Sequence, residues 1–273
     1  MTGSRITFMG AVPPWECDIV DHFTVAYYYQ KLDHATDVVL GRAGFDPADP
    51  AAPTMVRCLT RFERELVKGD IYRIETERLA ADRLAHRLID AATDTVCTRF
   101  DQCMSAPIPE SGATPASSDT EPLPHDPPAL PPANARWLDT GVDVLGAEDC
   151  GLRGSATSHA YILRFSAAGE HLRDAIGITP SYVREHNVGF ATFSFDARFD
   201  ARAGPGTPVS VQSTLSHVGR TSLHIEHRLL DARDGTEIAR LTQAGVHLDK
   251  ARRRPSPMPA HIVDAARELL GMS

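Results

Sequence analysis

The stretch ECDIVDHFTVAYYYQKLDHATDVVLGRAGFD, Glu16 to Asp46, decides how the first part of this chain is read. Apolar residues recur in it at helical spacing, namely at Tyr28, Leu32, Ala35, Val39 and Ala43. Gly44 follows, and glycine is the usual residue just beyond a helix C-terminus. The pattern predicts a long amphipathic helix whose entrance carries acids and a histidine.

The same pattern returns later in the chain. A shift of 133 residues pairs Cys17 with Cys150, Thr24 with Thr157, Tyr28 with Tyr161, Ala35 with Ala168, Gly44 with Gly177 and Pro47 with Pro180. Further on, HRLIDA at 86–91 matches HRLLDA at 227–232, at a shift of 141. These matches occur in the same order in the two halves. We therefore interpret the chain as an internal duplication, in which His86 and His227 have structural roles.

Each predicted helix is followed by segments typical of strands. TVCTRFDQCM (95–104) and SLHIEHRLLDA (222–232) alternate or are rich in β-branched residues, and RDGT (233–236) is typical of a hairpin turn. One long helix and about four antiparallel strands, repeated, predict an α+β fold. In each half a curved antiparallel β-sheet would wrap the helix.

A proline-rich segment separates the two halves. Residues 106–136 hold nine of the twenty prolines and almost no apolar periodicity, which predicts an extended, semi-rigid linker that does not pack. The predicted domains are therefore an N-terminal repeat at 1–105, the linker at 106–136 and a C-terminal repeat at 137–273. The C-terminal repeat would end in a short amphipathic helix within PAHIVDAARELLG.

Composition narrows the class of protein. A formal charge of −8 argues against nucleic acid as a partner, because phosphate contacts need a basic face. No apolar run approaches a membrane span and no signal peptide is recognisable, so no membrane partner is expected. The five cysteines are odd in number and lack CxxC spacing, which predicts neither disulfides nor structural zinc and favours a cytoplasmic location.

Residues 18–27, DIVDHFTVAY, are similar to the D-x-x-G-H-x-N-x-x-Y signature of the 4-hydroxybenzoyl-CoA thioesterase-like group. Asp18, His22 and Tyr27 match it, whereas Asp21 stands in place of glycine and Thr24 in place of asparagine. The continuation LDHATDVVLGRAGFD resembles the betainyl-CoA thioesterase branch, which also carries threonine at that place. The chain thus resembles the hotdog-fold acyl-CoA thioesterases.

The resemblance implies a tandem double hotdog that hydrolyses a small or medium acyl-CoA thioester. Coenzyme A would enter as part of the substrate, with no metal and no other cofactor. In that family the site lies where two hotdog units meet, with the thioester carbonyl near a helix N-terminus. One chain could supply both units, so the protein would be a monomer or a homo-oligomer of double hotdogs.

Carried onto this chain, the resemblance makes Asp18 the catalytic carboxylate, as base or nucleophile, with His22 beside it. The second copy has glycine and serine at the matching positions 151, 154 and 155, but REHNVGF there offers Glu185, His186 and Asn187. We therefore predict one composite catalytic site from both halves. The competing interpretation is that Asp18 merely caps the helix.

Four further residues are predicted to contact substrate. They are Thr24, Tyr27, Trp15 and Phe23, and Trp15 with a nearby tyrosine would suit a cationic acyl group through a cation–π contact. Tyr28 lies on the apolar stripe and is assigned to the core. Two other functions stay open: a hotdog hydratase or dehydratase, although its D-x-N-x-x-H pattern is missing, and a non-catalytic acyl-binding protein.

Overall fold

A computed structural model describes residues 5–18, 21–117, 120–124 and 129–272. Contacts group the chain into two compact units. The first comprises the described parts of Met1–His125, Leu145–Ile162 and Arg202–Gly206, and the second those of Asp126–Val144, Leu163–Ala201 and Thr207–Ser273. The predicted division of the chain at 105 and 137 stays a prediction.

The first repeat has one long helix and a five-stranded antiparallel sheet. The helix is α1 (Val25–Arg42), and the strands run in the order β1 (Ile6–Ala11), β3 (Ile71–Ala80), β4 (Arg83–Asp90), β5 (Thr95–Met104) and β2 (Met55–Phe62). The predicted stripe forms the core, since Tyr28, Leu32, Ala35 and Val39 are buried. The prediction of four strands after the helix is confirmed, but it missed β1, which lies at the sheet edge before the helix.

The second repeat has the same order of elements. Its strands run β7 (Leu138–Val144), β9 (Pro208–Val218), β10 (Ser222–Asp231), β11 (Glu237–Asp249) and β8 (Val188–Phe199), and its long helix is α2 (Ser158–Ala175). A short helix α3 (Pro180–Glu185), which the sequence did not predict, precedes β8. The predicted C-terminal helix is α4 (Ala260–Leu269), and it packs Ile262, Ala266 and Leu269 into the core. The fold is the α+β double hotdog that was predicted.

The proline-rich segment departs from its prediction. Ile108 and Ala113 are buried against Val39, Leu40 and Leu84, and a short strand β6 (Thr114–Pro115) pairs parallel with β3. The expectation that 106–136 does not pack is therefore wrong for its first third. Two apolar side chains spaced among prolines suffice to anchor it, because their burial does not require regular secondary structure.

Each repeat buries a hydrogen-bonded histidine, as the matching hexapeptides predicted. In the first repeat Thr7, Thr76, His86 and Gln102 form a chain, with 2.7 Å between the threonine hydroxyls, 2.8 Å from Thr76 Oγ1 to His86 Nδ1 and 2.6 Å from His86 Nε2 to Gln102 Oε1. Burial lowers the pKa of His86 to about 4. The imidazole is therefore neutral at physiological pH, and its role is structural.

The second repeat holds the corresponding chain. Thr140 Oγ1 lies 2.6 Å from Ser213 Oγ, which lies 2.6 Å from His227 Nδ1. Burial, reinforced by the positive charge of Arg173, lowers the pKa of His227 to about 3, against the opposing effect of the nearby Gln243 side chain. Both repeats thus link neighbouring strands of the sheet through a neutral buried histidine.

A buried ion pair lies at the entrance of α1. Lys31 Nζ donates to Glu16 Oε1 at 2.7 Å and to Gln30 Oε1 at 2.8 Å. Glu16 ends a 3-10 helix, Pro14–Glu16, and is only 7% exposed. Because the remaining oxygen of Glu16 is also buried, the carboxylate depends on Lys31 for its compensation.

Candidate functional site

The predicted catalytic carboxylate Asp18 lies in a tight exposed loop ahead of α1. Its Oδ1 accepts a hydrogen bond from the backbone N–H of His22 at 2.9 Å, and its own N–H donates to the carbonyl of His22 at 2.8 Å. Asp21 has a φ of 63°, and its carboxylate pairs with Lys68 at 2.9 Å. Asp18 thus acts as a cap for this loop, and its catalytic role stays a prediction.

His22 lies before the helix rather than in its first turn. α1 begins at Val25 with Thr24 as its N-cap, and Thr24 makes no side-chain capping bond. Residues 22–24 therefore precede the helix. His22 instead pairs its Nε2 with Glu65 at 3.5 Å, because the loop runs alongside 65–68.

The four predicted contact residues separate by exposure. Phe23 is buried, with its ring 4.5 Å from that of Tyr28 and 5.7 Å from that of Tyr72, so it belongs to the core. Its assignment to substrate stays a prediction. Trp15 is 77% exposed, and Tyr27 is partly exposed.

Glu185, His186 and Asn187 belong to the second compact unit, whereas Asp18 and His22 belong to the first. Glu185 ends α3, and the ring of His186 lies 4.8 Å from that of Tyr182. Asn187 has a φ of 49°, and its carbonyl accepts from the N–H of Lys250 at 3.1 Å. The composite site built from these five residues stays a prediction.

A different carboxylate meets a helix N-terminus inside the first compact unit. Asp33, on α1, accepts a hydrogen bond from Ser158 Oγ at 2.8 Å and a longer one from the N–H of His159 at 3.4 Å. Ser158 and His159 open helix α2. The first turn of a helix offers unpaired N–H groups and a partial positive charge, so this position suits an anion.

Burial raises the pKa of Asp33 from 3.8 to about 7, despite the hydrogen bonds from Ser158 and His159, and the nearby Asp37 acts in the same direction as burial. A carboxyl group with a pKa near the working pH is suited to proton transfer, since it can both hold and release a proton there. This feature distinguishes Asp33 chemically from an ordinary surface acid.

The side chains around Asp33 are polar and partly exposed. His159 Nδ1 lies 2.9 Å from the carbonyl oxygen of Ala26, so this nitrogen carries a proton and donates to that oxygen. The rings of His159 and Tyr27 have centroids 5.0 Å apart. Asp37 pairs with Arg153 at 3.4 Å. The arrangement places an acid, an imidazole and a phenol next to a helix N-terminus.

Sequence reasoning missed Asp33 because it lies inside the helix, where an acid is an ordinary residue. A signal was nevertheless present in the shift of 133. It matches Asp33 with Ser166, Ser158 with Val25, and His159 with Ala26. The set Asp33, Ser158 and His159 is polar at all three positions, whereas the corresponding set contains valine and alanine. Comparing the repeats for such differences in side-chain polarity would have identified these three residues.

The described residues were compared with the requirements of a metal site and of a membrane span. Those residues contain no cluster of three or more His, Cys, Asp or Glu side chains able to hold a metal ion. In that same part of the chain, no helix is both long and apolar enough to cross a membrane.

Comparison with known proteins adds a family match for the second half of the chain. Residues 145–266 match the model of the thioesterase-like superfamily. No curated protein matches the sequence significantly. The match covers α2 and the strands β8 to β11, and therefore includes Ser158 and His159.

Solved structures resemble the chain over both repeats. A candidate oleoyl thioesterase from Lactobacillus plantarum superposes with a TM-score of 0.63 at 9% identity, covering 89% of this chain and 97% of its own. An acyl-ACP thioesterase from Bacteroides thetaiotaomicron gives 0.60 at 14%, covering 87% and 96%. The 12:0-ACP thioesterase from Umbellularia californica gives 0.58 at 13%, covering 91% and 93%. At these identities the likeness establishes the double-hotdog fold.

Proposed function

We propose that this chain, whose second half matches the thioesterase-like superfamily, hydrolyses acyl thioesters with Asp33 as its catalytic carboxylate. The observation that carries the proposal is the contact of Asp33 with the first turn of α2 at Ser158. There a carboxyl group with a pKa of about 7 lies beside the donors that an oxyanion needs.

In the proposed reaction Asp33 acts as a general base. It takes a proton from a water molecule as the water oxygen attacks the thioester carbon, and the carbonyl oxygen becomes an oxyanion. Ser158 Oγ–H and the N–H of His159, which now face the Asp33 carboxylate, donate to that oxyanion. Collapse breaks the carbon–sulfur bond, and the proton on Asp33 passes to the thiolate. The products are a free acid and a thiol.

For the substrate we propose a small or medium acyl-CoA, which rests on the resemblance of residues 18–27 to the 4-hydroxybenzoyl-CoA thioesterase-like signature. The betainyl-CoA branch is the finer form of that proposal. Two of the solved structures similar over both repeats are acyl-ACP thioesterases, so acyl carrier protein thioesters belong in the same test. We also retain the cytoplasm as the proposed location.

The alternative centre is the one predicted from the sequence, with Asp18 and His22 joined by Glu185, His186 and Asn187. The two centres make opposite predictions for two conservative variants. Asp33→Asn removes the base beside α2 and keeps the shape of the side chain. Asp18→Asn is its matched control, because it removes an acid of the same type from an exposed loop of the same unit.

The test is release of free thiol from short, long, aromatic and betainyl acyl-CoAs and from an acyl carrier protein thioester. We expect Asp33→Asn to lower kcat/KM by roughly 10²-fold or more on the preferred substrate, with Asp18→Asn close to wild type. The reverse pattern would move the centre to Asp18. If wild type released no thiol from any substrate, thioester hydrolysis would be refuted, and enoyl-CoA hydration and acyl-CoA binding would be measured next.

A further inference from the structure

We propose that the second repeat binds a divalent transition-metal ion through His217 and His224, two histidines that face each other across neighbouring strands. Both residues belong to the second compact unit, and neither takes part in the proposed hydrolysis. Imidazole nitrogen is a good ligand for nickel, copper and zinc, which sets the class of ion.

A β-bulge brings the two histidines onto the same face of the sheet. Leu215 on β9 lies opposite Ile225 on β10, and both side chains are buried in the core. The register then shifts by one residue, so that His217 lies opposite His224. Side chains beyond such an inserted residue change faces. Without the bulge, His217 would point into the core as Leu215 does.

The first repeat has the same bulge without the histidines. The register between β3 and β4 shifts between Arg78 and Ala80, and Ala80 then lies opposite Arg83. The bulge is therefore a feature of both repeats, whereas the two imidazoles occur at this place in the second repeat alone. The fold forms this corner with alanine and arginine and does not require a pair of histidines there.

The distance between the two rings suits one shared ion. The centres of the His217 and His224 rings lie 4.8 Å apart, and the ring planes are tilted by 44°. An ion bonded to an imidazole nitrogen lies about 3.2 Å from the ring centre, for a metal–nitrogen bond of about 2.0–2.1 Å. Two centres 4.8 Å apart then subtend about 97° at the ion. This angle lies between the values of about 90° and about 109° for octahedral and tetrahedral coordination.

Both rings have nitrogen atoms available to an ion. Among the described residues, the ring of His224 makes no hydrogen bond, and that of His217 has one long contact, 3.4 Å from Nε2 to Ser222 Oγ. His217 is exposed and His224 half-buried, so an ion reaches them from solvent without a preformed cavity. Burial and the neighbouring His217 lower the pKa of His224, which favours the neutral imidazole that binds metals.

The surroundings favour one shared cation over two protonated rings. Like charges directly opposite each other on neighbouring strands are destabilising. Glu226 lies two positions along β10 on the same face, roughly 7 Å away, where a carboxylate attracts a cation without binding it directly. Burial raises the pKa of Glu226 to about 7, although Thr242, Arg240 and Ser216 oppose the rise. A divalent ion nearby would favour the ionised form of this carboxyl group.

The composition of the site predicts its stoichiometry and selectivity. The described residues offer no group of three or more His, Cys, Asp or Glu side chains for a metal, so water molecules would complete the coordination of the ion. We expect one ion per chain, with copper bound more tightly than nickel or zinc. Because the two ligands flank the hairpin turn between β9 and β10, the ion would hold that hairpin closed.

The chain supplies matched variants for a test. His217→Ala installs the residue of the first repeat, and His224→Gln removes the second ring but keeps a polar side chain. His261→Gln is the control, because it removes an exposed histidine from α4 in the same unit. Each full-length, tag-free protein is titrated with nickel chloride and zinc chloride by calorimetry. Its electron paramagnetic resonance spectrum is recorded with one equivalent of copper(II), and its thermal unfolding without metal verifies that it is folded.

We expect wild type and His261→Gln to bind one nickel ion with the same Kd. His217→Ala and His224→Gln should each raise that Kd at least tenfold, because loss of a ligand costs no less than loss of a residue that orients one. The double variant should bind no more weakly than either single variant, since one remaining imidazole forms no chelate. The copper spectrum should show splitting from two nitrogens in wild type and from at most one in each single variant.

Three results would overturn the proposal. They are wild type that binds no ion, folded single variants that keep the affinity of wild type, and losses of affinity that add up in the double variant, as expected of two independent sites. None of these measurements depends on thioester hydrolysis.

Discussion

The substitution Asp33→Asn tests two consequences of the burial of this carboxyl group, one for activity and one for stability. Burial holds the pKa of Asp33 at about 7, which makes the carboxylate a useful base and also makes it costly to ionise. Asparagine cannot ionise. We therefore expect the variant to be inactive as a hydrolase and more stable than wild type at neutral and alkaline pH.

The sign follows from proton binding. Between pH 3.8 and about 7 the folded protein keeps a proton on Asp33 that the unfolded chain has lost. The contribution of Asp33 to the free energy of unfolding therefore falls as pH rises through this window and is constant above it. The substitution Asp33→Asn removes this decline.

The expected change in the free energy of unfolding has an upper limit, which solvent exposure and hydrogen bonding reduce. A pKa of about 7 instead of 3.8 corresponds to about 4 kcal/mol at most, at 1.36 kcal/mol per pH unit. Asp33 is partly exposed, so solvent screens its charge, and the amide replaces only part of its hydrogen bonding to Ser158 and His159. We expect a gain of about 1–2 kcal/mol at alkaline pH that shrinks towards zero near pH 4.

The assay is urea-induced unfolding of wild type, Asp33→Asn and Asp18→Asn at several pH values between roughly 4 and 8, with thiol release measured on the same preparations. Asp18→Asn controls for the loss of one negative charge. If the difference between Asp33→Asn and wild type did not grow with pH, Asp33 would be an ordinary ionised acid. The proposal that burial raises the pKa of Asp33 and makes it a general base would then be refuted.

Three further outcomes follow from contacts described above. Asp18→Asn should keep kcat/KM within about threefold of wild type, because its carboxylate accepts a backbone N–H in an exposed loop; a loss of roughly 10²-fold would contradict this. His86→Gln should reduce the loss of stability on acidification by about 3 kcal/mol. The pKa of His86 is about 4 in the folded protein and 6.5 when unfolded, so between these pH values the unfolded chain binds a proton that the folded protein does not. Parallel pH–stability curves for the variant and wild type would count against this. Lys31→Met should lower the free energy of unfolding in urea by about 3 kcal/mol, because it leaves Glu16 buried and unpaired. Adding Glu16→Leu should recover most of that loss. A further, additive loss in the double variant would show that Glu16 does not depend on Lys31.

Local pattern was enough to predict the two long helices, the C-terminal helix and most strands. TVCTRFDQCM became β5 with the predicted ends, and the stripe through Tyr28 and Leu32 became the buried face of α1, because side-chain period follows directly from backbone geometry. The edge strands β1 and β7 were not predicted, because their burial alternates only weakly and a glycine interrupts each of them, Gly10 in β1 and Gly141 in β7.

The candidate site was less predictable, because its contacts join distant parts of the chain. Asp33 and Ser158 are 125 positions apart, and neither stands in a recognisable motif. The 18–27 signature drew attention to Asp18 instead, which the fold leaves in an exposed loop. The packing of Ile108 was missed for a related reason: two apolar residues among prolines carry no periodicity, although the core has room for them.

The covalent duplication has a consequence for what each half is free to become. A dimer of identical single repeats would carry every substitution twice, so a partly buried acid such as Asp33 would impose its desolvation cost on both copies. In the tandem chain Ser166 occupies the position in the second repeat that corresponds to Asp33, and Gly169 occupies the position that corresponds to Thr36. Each costly residue is thereby confined to one copy, while the other copy keeps the inexpensive residue and its share of the stability. Asymmetry of this kind is available only to a chain that encodes both of its halves separately.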